Sequence, residues 1–464
     1  MDLFDPYRKA LHTVCAPGII GRVSSVRGST VSVRDFPIPM GAACRIVRAS
    51  GEIDARVVGF ADESALVMPM GTLAGIARGD RVVFTSAAQT VAVGSGMLGR
   101  VLDAFGRPMD GGREVRAERN MPIWPEPIGP MRRRRITEPL GTGVRAIDAM
   151  LTVGRGQRMG IFSGAGVGKT VLAGMISRYT AADVTVIALI GERGREVKDY
   201  VEKVIGADGL KRSVVVASTS DQPPLARVHG GAVATAIAEF FRDRGCDVLL
   251  LMDSLTRLAA AQRLIGLSAG EPPATKGYTP SVFTLLPQLL ERSGRTEEGS
   301  ITGFYTVLVE GDDLSEPVSD AVRAVTDGHV YLSRELANRG QYPAIDVLRS
   351  VSRVMVDVAD QEHRAAAREV HRLIALYSEI EDLVNIGAYQ GGANAEYDAA
   401  IKAMPLIRGF LAQSIAEPSS LDQTLASLKD LQRQIMLFRH RPLARAASAH
   451  PSIRPAVARW VKDR

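Results

Sequence analysis

The run Ser163-Gly164-Ala165-Gly166-Val167-Gly168-Lys169-Thr170 is the part of this chain best suited to chemistry. Glycines let backbone N–H groups close around an anion, and a helix N-terminus adds partial positive charge. A short strand-like stretch, Met159-Gly160-Ile161-Phe162, ends in this turn. The amphipathic run Val171-Leu172-Ala173-Gly174-Met175-Ile176 leaves it. That strand–loop–helix order is what a phosphate-binding loop requires. Residues Gly164, Ala165, Gly166, Val167, Gly168 and Val171 would surround the phosphates. The Lys169 ammonium would reach the β- and γ-phosphates, and the Thr170 hydroxyl would face Mg²⁺. ATP and Mg²⁺ are the ligands this pattern implies. The strict pattern opens on Gly, whereas this loop opens on Ser163. The close approach to phosphate falls later in the loop, so a small residue is tolerated at that position. The bland alternative is a plain strand-to-helix turn.

Other residues could complete such a site. Asp253 ends the apolar run Asp247-Val248-Leu249-Leu250-Leu251-Met252-Asp253. A carboxylate at the C-terminal end of a buried strand is placed to orient Mg²⁺ and its waters. An Asp there also caps a following helix. Glu192 and Arg193 follow the apolar run Val184–Ile190. In a parallel sheet that end faces the same crevice as the phosphate loop. Glu192 could polarise the attacking water or cap the next helix, and the residues alone lean to the cap. Arg257, four residues beyond Asp253, would lie near the phosphates if a helix begins there. A surface ion pair is its ordinary role.

The elements that must hold these residues fall into zones. Short β-rich pieces recur over 18–92: Ile19–Val23, Thr30–Val33, Ala55–Phe60 and Arg81–Phe84. Their spacing suggests a small antiparallel barrel or sandwich. Over about 146–355 apolar strand candidates (Val184–Ile190, Val214–Ala217, Asp247–Met252, Thr306–Val309) alternate with helical stretches. That alternation argues for a mainly parallel sheet covered on both faces. From about 356 the pattern is helical. Leu421, Leu425, Leu428, Leu431 and Ile435 make one apolar stripe, and the Gly387–Gly392 segment breaks a helix. Leu3, Phe4, Tyr7, Leu11 and Val14 have helical spacing in an N-terminal arm, and 441–464 is a basic tail. Arg132–Arg135 reads as a solvated surface or a contact for acidic protein or lipid.

Composition narrows the class. The 464 residues suffice for two or three domains. Hydrophobic content of 46% with 23% charge is ordinary for a globular protein. No apolar run approaches the ~20 residues of a membrane span. The start, Met1–Pro6, lacks the long apolar core of a secretion signal. Three scattered cysteines suggest a reducing compartment and no metal cluster. A net charge of +6 permits an anionic surface as partner without demanding nucleic acid.

Taken in order, further motifs stop being independent. Thr142-Gly143-Val144-Arg145-Ala146-Ile147-Asp148 and Gly154-Arg155-Gly156-Gln157-Arg158 precede the loop. Gly191-Glu192-Arg193-Gly194-Arg195-Glu196-Val197, Asp253–Ala259, Gly270-Glu271-Pro272-Pro273, Gly277–Phe283 and Glu291-Arg292-Ser293-Gly294 follow it. Over roughly 18–440 the chain resembles the ATPases of bacterial type III protein export. The flagellum-specific branch is nearest, and these enzymes are related to the catalytic subunit of rotary ATP synthases. The resemblance implies an α/β fold: a RecA-like, mainly parallel sheet core with an N-terminal β-barrel and a C-terminal helical domain. With the zones read above, the chain divides into an arm (1–17), barrel (18–92), ATPase domain (93–355), helical domain (356–440) and tail (441–464). It also implies a homo-hexamer with ATP sites between subunits. Glu192 becomes the base for the attacking water, Asp253 the Mg²⁺-organising carboxylate, and Arg193 and Arg257 electrostatic partners near the γ-phosphate. Only the resemblance points to two more residues. Arg353, in Ser350-Val351-Ser352-Arg353, matches an arginine finger supplied across the subunit boundary. Tyr342, in Gln341-Tyr342-Pro343-Ala344, matches the aromatic that stacks on adenine.

The implied function is ATP hydrolysis by a ring motor that energises type III export at the inner face of the cytoplasmic membrane. The implied partners are a stator or regulator, a central stalk protein, export chaperones and substrates, and a membrane export gate. Rival readings are an injectisome ATPase, a proton-driven ATP synthase subunit, a noncatalytic ring subunit and an RNA-translocating ring. The last should carry aromatics on a basic barrel groove. Residues 18–92 hold only Phe36, Phe60 and Phe84, with no Trp or Tyr, so no nucleic-acid partner is expected.

Overall fold

Val31 and Val33 point to one side of their strand, and Ser32 to the other. Strands that alternate in this way curl around a small core. The computed structural model describes residues 18–440, apart from 310 and 312. The expectations for the N-terminal arm and the basic tail therefore lie outside the described residues. Strands β1 (Ile20–Arg27), β2 (Thr30–Arg34), β3 (Ala43–Arg48), β4 (Gly51–Ala61), β5 (Ser64–Pro69) and β6 (Arg81–Ser86) close into a barrel in the order β1-β2-β5-β4-β3-β6. All its pairings are antiparallel. Val31, Val33, Ile46, Val67 and Val82 fill the interior. Strands β3 and β5 went unread in the sequence. Arg45 and Arg48 interrupt the first, and the second runs into Pro69.

The next layer is a nine-stranded sheet. Its main members are β7 (Val101–Leu102), β8 (Arg158–Ser163), β9 (Val184–Ile190), β10 (Ser213–Ser218), β11 (Asp247–Asp253), β12 (Ser300–Leu308), β13 (Gly328–Leu332) and β14 (Val351–Ser352). Their spatial order is β14-β13-β8-β12-β11-β9-β10-β7. Every pairing from β13 to β7 is parallel, and edge strand β14 is antiparallel. All seven residues of β9 are buried, as a strand covered on both faces must be. Neighbours along one strand serve opposite cores. Phe162, Val186 and Leu250 face helix α2 (Pro224–Arg242), and Ile161, Ile187 and Leu251 face helix α1 (Lys169–Tyr179). Each such side chain contributes about 1.5–3 kcal/mol by leaving water. Strand β12 begins six residues earlier than the apolar run suggested. Thr302 and Gly303 broke the run, yet both lie inside the layer.

Helices α4 (Gln361–Asn385), α5 (Ala395–Leu411) and α6 (Leu421–His440) follow the sheet domain. Asp360 accepts from His363 N (2.7 Å) and Asn394 from Glu396 N (2.9 Å), capping the first two. Between them Gly387 (φ 70°) and Gly392 (φ 91°) take left-handed backbone. Leu428, Leu431 and Ile435 face the core shared with the sheet. The barrel, parallel sheet and terminal helices agree with the expected fold class. Among the described residues no helix is long and apolar enough to cross a membrane.

Candidate active site

Strand β8 ends at Ser163, and α1 starts at Lys169. Gly166 (φ 76°) and Gly168 (φ 103°), the N-cap of α1, take left-handed backbone between them. A Cβ on Gly166 would meet nothing within 4 Å, so glycine is favoured there by conformation and not by crowding. The loop thus presents backbone and the start of a helix, as an anion site needs. Gly164 and Val167 are buried, while Ala165, Gly166, Thr170 and Val171 are exposed. Ser163 is buried, and among the described residues its Oγ has no hydrogen-bond partner.

Lys169 Nζ pairs with the Asp253 carboxylate. Thr306 Oγ1 donates to the same oxygen, Asp253 Oδ1, at 2.8 Å. Strand alternation explains the meeting. Leu249, Leu251 and Asp253 share one face of β11, and Phe304 and Thr306 share that face of adjacent β12. Asp253 is 1% exposed. A buried carboxylate is tolerated because an ammonium and a hydroxyl satisfy it.

Glu192 follows β9, the neighbour of β11. Arg257, on helix α3 (Leu255–Ser268), places Nη1 2.7 Å from Glu192 Oε2. The same nitrogen donates to Gly191 O. Burial pushes the Glu192 carboxyl up to about 7. A hydrogen bond shared with Glu196 and the charge of Asp253 add to the rise, and Lys169 and Arg257 oppose it. Such a group takes or releases a proton near neutral pH. The capping alternative is not what the structure displays: among the described residues Glu192 makes no bond to a helix N–H, and Arg193 is the cap residue of Gly194–Asp199.

Arg193 departs from the expected place. Its side chain is 75% exposed and lies 3.5 Å from Glu196. Extended backbone (φ −71°, ψ 142°) turns successive side chains to opposite sides, so Glu192 points in and Arg193 out. Arg353 is also remote. It follows β14, which pairs with the start of β13, and Arg353 N donates to Asp327 O (2.9 Å). Asp327 N in turn donates to Arg158 O, at the start of β8. The phosphate loop leaves the other end of β8, about 17 Å away along the strand. Tyr342 is close. A Cβ on Gly168 would lie 3.8 Å from its Cε1, and about half of the residue is exposed.

The oxygen donors near the loop suit Mg²⁺. Thr170 offers a hydroxyl and Asp253 a carboxylate. No group of three or more His, Cys, Asp or Glu that could cage a metal occurs among the described residues. Mg²⁺ characteristically takes one or two protein oxygens plus waters and substrate phosphates, so the residues fit it.

Some site residues escaped the sequence reading. Thr306 looked like the start of a strand, and nothing marked it as the neighbour of Asp253. Glu196 carried only its place in a motif. Asp148 is fully buried and accepts from Thr142 N (2.8 Å), Thr142 Oγ1 (2.7 Å) and Gly143 N (3.1 Å). It fixes the turn that leads into the short helix Arg145–Met150, which accounts for the Thr142–Asp148 motif. Burial pushes its carboxyl up to about 7 against those bonds.

The chain resembles known proteins along most of its length. Residues 143–352 match the nucleotide-binding domain of the ATP synthase alpha/beta family, and residues 23–86 match its beta-barrel domain. Residues 359–430 match the T3SS EscN ATPase C-terminal domain. The flagellum-specific ATP synthase of Bacillus subtilis is 50% identical over 415 residues, 89% of this chain and 94% of that protein. The type 3 secretion system ATPase of Xanthomonas euvesicatoria is 49% identical over 422 residues, 90% of this chain and 96% of that one. The assembled ATPase EscN of enteropathogenic E. coli superposes with a TM-score of 0.85 at 42% identity, covering 89% of this chain and all of EscN. EscN has also been solved in complex with its central stalk EscO.

Proposed function

The chain belongs to the ATP synthase alpha/beta family, and from that premise we propose that it is the ATPase of a type III protein-export machine. It hydrolyses ATP to ADP and phosphate. The observation that carries the reading is the convergence of Lys169, Asp253, Glu192 and Arg257 at the C-terminal ends of neighbouring strands, beside a glycine-rich loop.

Each residue has a role. The loop N–H groups and Lys169 hold the β- and γ-phosphates. Lys169 leaves Asp253 to do so, which frees a carboxylate already steadied by Thr306. Thr170 and Asp253 would hold Mg²⁺, which when bound neutralises charge on the phosphate oxygens. Glu192 accepts the proton of the attacking water as the water oxygen bonds to the γ-phosphorus and the bond to the ADP oxygen breaks. Arg257 orients that carboxylate. Tyr342 stacks on adenine. Catalysis is positioning and charge stabilisation, with no covalent intermediate on the enzyme.

The remoteness of Arg353 from its own loop supports a site completed between subunits. Arg353 of the partner subunit stabilises charge on the transferring phosphoryl, a contribution worth ~10³–10⁵ in rate in nucleotide hydrolases. The working form is a homo-hexameric ring on a central stalk, at the cytoplasmic face of the membrane export gate. Arg193, exposed in the single subunit, faces the boundary. EscN, solved both assembled and with its stalk, supports the ring and the stalk. The test is phosphate release by the assembled protein with Mg²⁺. Turnover at background level would remove the proposal.

A flagellar machine is the leading assignment, supported by flagellum-specific relatives at 49–52% identity. The 49% identity to a Xanthomonas secretion ATPase keeps an injectisome as the second reading. Deleting the gene separates them. Loss of filaments supports the first, and lost effector secretion with normal filaments supports the second.

A further inference from the structure

Gln157 has been given no part in the chemistry, yet both ends of its side-chain amide are bonded close to Arg353. The residue is fully buried. Its Oε1 accepts from Gly154 N at 2.9 Å. Its Nε2 donates to Ser352 Oγ at 3.0 Å and to Asp327 O at 3.2 Å, and lies 3.2 Å from Met159 Sδ. Ser352 Oγ donates onward to Thr152 O at 3.0 Å. Asp327 O also accepts from the backbone N of Arg353 at 2.9 Å. One buried amide therefore touches the hydroxyl of the residue before Arg353 and the carbonyl that holds the Arg353 N–H.

The head of Arg353 is left uncommitted. Asp327 is the carboxylate at hand, and Arg158 occupies it. Arg158 Nε donates to Oδ2 at 3.0 Å, Arg158 Nη2 to Oδ1 at 3.1 Å, and Arg158 N to Oδ2 at 3.0 Å. Among the described residues the Arg353 guanidinium makes no hydrogen bond or ion pair. An arginine that acts across a boundary needs this combination of fixed base and free head, because a transition-state donor loses its effect when its position wanders.

We propose that Gln157 is a positioning residue for the arginine each subunit supplies to its neighbour, acting through Ser352 and the Asp327 carbonyl. The proposal rests on the across-boundary reading of Arg353. It also assigns a link inside one subunit. Gln157 stands at the entry of β8, and the phosphate loop leaves its exit. A subunit's own ATP site and the arginine it gives away therefore hang from opposite ends of one buried strand.

Gln157→Met keeps the side-chain volume and removes the polar contacts. In the full-length ring, kcat is expected to fall at least tenfold, with KM for ATP within twofold of the parent, since the subunit's own loop is intact. In an Arg353→Ala background the same change is expected to cost nothing more. The deciding experiment mixes subunits. Gln157→Met keeps its base and misplaces its arginine, whereas Glu192→Gln lacks the base and keeps the arginine placed. Rings mixed from the two regain turnover wherever a Glu192→Gln subunit serves a Gln157→Met site. Damage confined to the fold of the variant would not recover in this way.

Arg353→Ala mixed with Glu192→Gln is the control. If that mixture stays inactive, the across-boundary reading fails and takes this proposal with it. If the control recovers and Gln157→Met does not, or if Gln157→Met alone turns over like the parent, only the proposal for Gln157 is overturned. Should Gln157→Met not fold, Ser352→Ala at a half-buried position tests the same link. A severalfold loss of kcat restored in mixed rings supports it, and unchanged kcat refutes it.

Discussion

Arg257 holds its guanidinium 2.7 Å from the Glu192 carboxylate, on the side of the site nearest Gly191. Burial raises the affinity of Glu192 for a proton, and Arg257 lowers it. Their balance sets the pH at which the base is ready. With the carboxyl pushed up to about 7, kcat/KM for ATP is expected to climb as pH rises through 7 and to level off above it. Arg257→Met removes the opposing charge and should move that limb upward by roughly one pH unit. A pH–rate profile that ignores both residues would exclude Glu192 as the base.

Glu192→Gln should abolish turnover and leave ATP binding in place, read by phosphate release beside a fluorescent-nucleotide titration. Its effect on stability has a definite sign. The folded carboxyl titrates near 7 against an ordinary value of 4.5, so ionisation disfavours the fold. That destabilisation develops between pH 4.5 and 7 and is complete above 7. The variant should therefore gain in thermal midpoint over the parent at pH 8 and not at pH 4. The opposite trend would mean that Glu192 is not buried as described.

Lys169→Met should weaken nucleotide binding and also destabilise the nucleotide-free protein. The change strands the buried Asp253 carboxylate with only Thr306 as partner. Loss of one member of a buried pair costs about 3–5 kcal/mol. Asp253→Asn on top of Lys169→Met should restore much of that stability and no activity, as denaturation of the two variants would reveal.

Arg292 and Glu239 form a second buried pair, far from the phosphate loop. Arg292 Nε donates to Glu239 Oε1 at 2.9 Å, Nη2 to Oε2 at 2.6 Å, and Nη1 to Ile123 O at 2.8 Å. This fork ties α2 to the turn after Leu290 and to Ile123, just past the strand Arg119–Pro122. Glu239→Gln should lower Tm by roughly 5 °C. A scanning calorimetry trace within two degrees of the parent would show that the pair is dispensable.

Tyr342→Ala should raise KM for ATP about tenfold with kcat nearly intact, and Tyr342→Phe should behave like the parent, because stacking needs the ring and not the hydroxyl. An unchanged KM would remove Tyr342 from the adenine site.

What could be read from the sequence was whatever depends on near neighbours in the chain. The loop, the helix behind it, and carboxylates at the ends of apolar runs are fixed by backbone chemistry within a few residues. So are the period-2 strands of the barrel and the heptad-like stripe of Leu428, Leu431 and Ile435. Pairings between distant residues were not legible in this way. Thr306 meets Asp253 because β12 lies beside β11, Arg257 reaches Glu192 because α3 and β9 share one end of the sheet, and Arg193 turns outward because its backbone is extended. Arg353 stands at the opposite end of β8 from the loop because β14 joins the sheet antiparallel at the start of β13. Strand order and register decide such meetings. Each is set by the packing of the whole core, which no local stretch of residues contains.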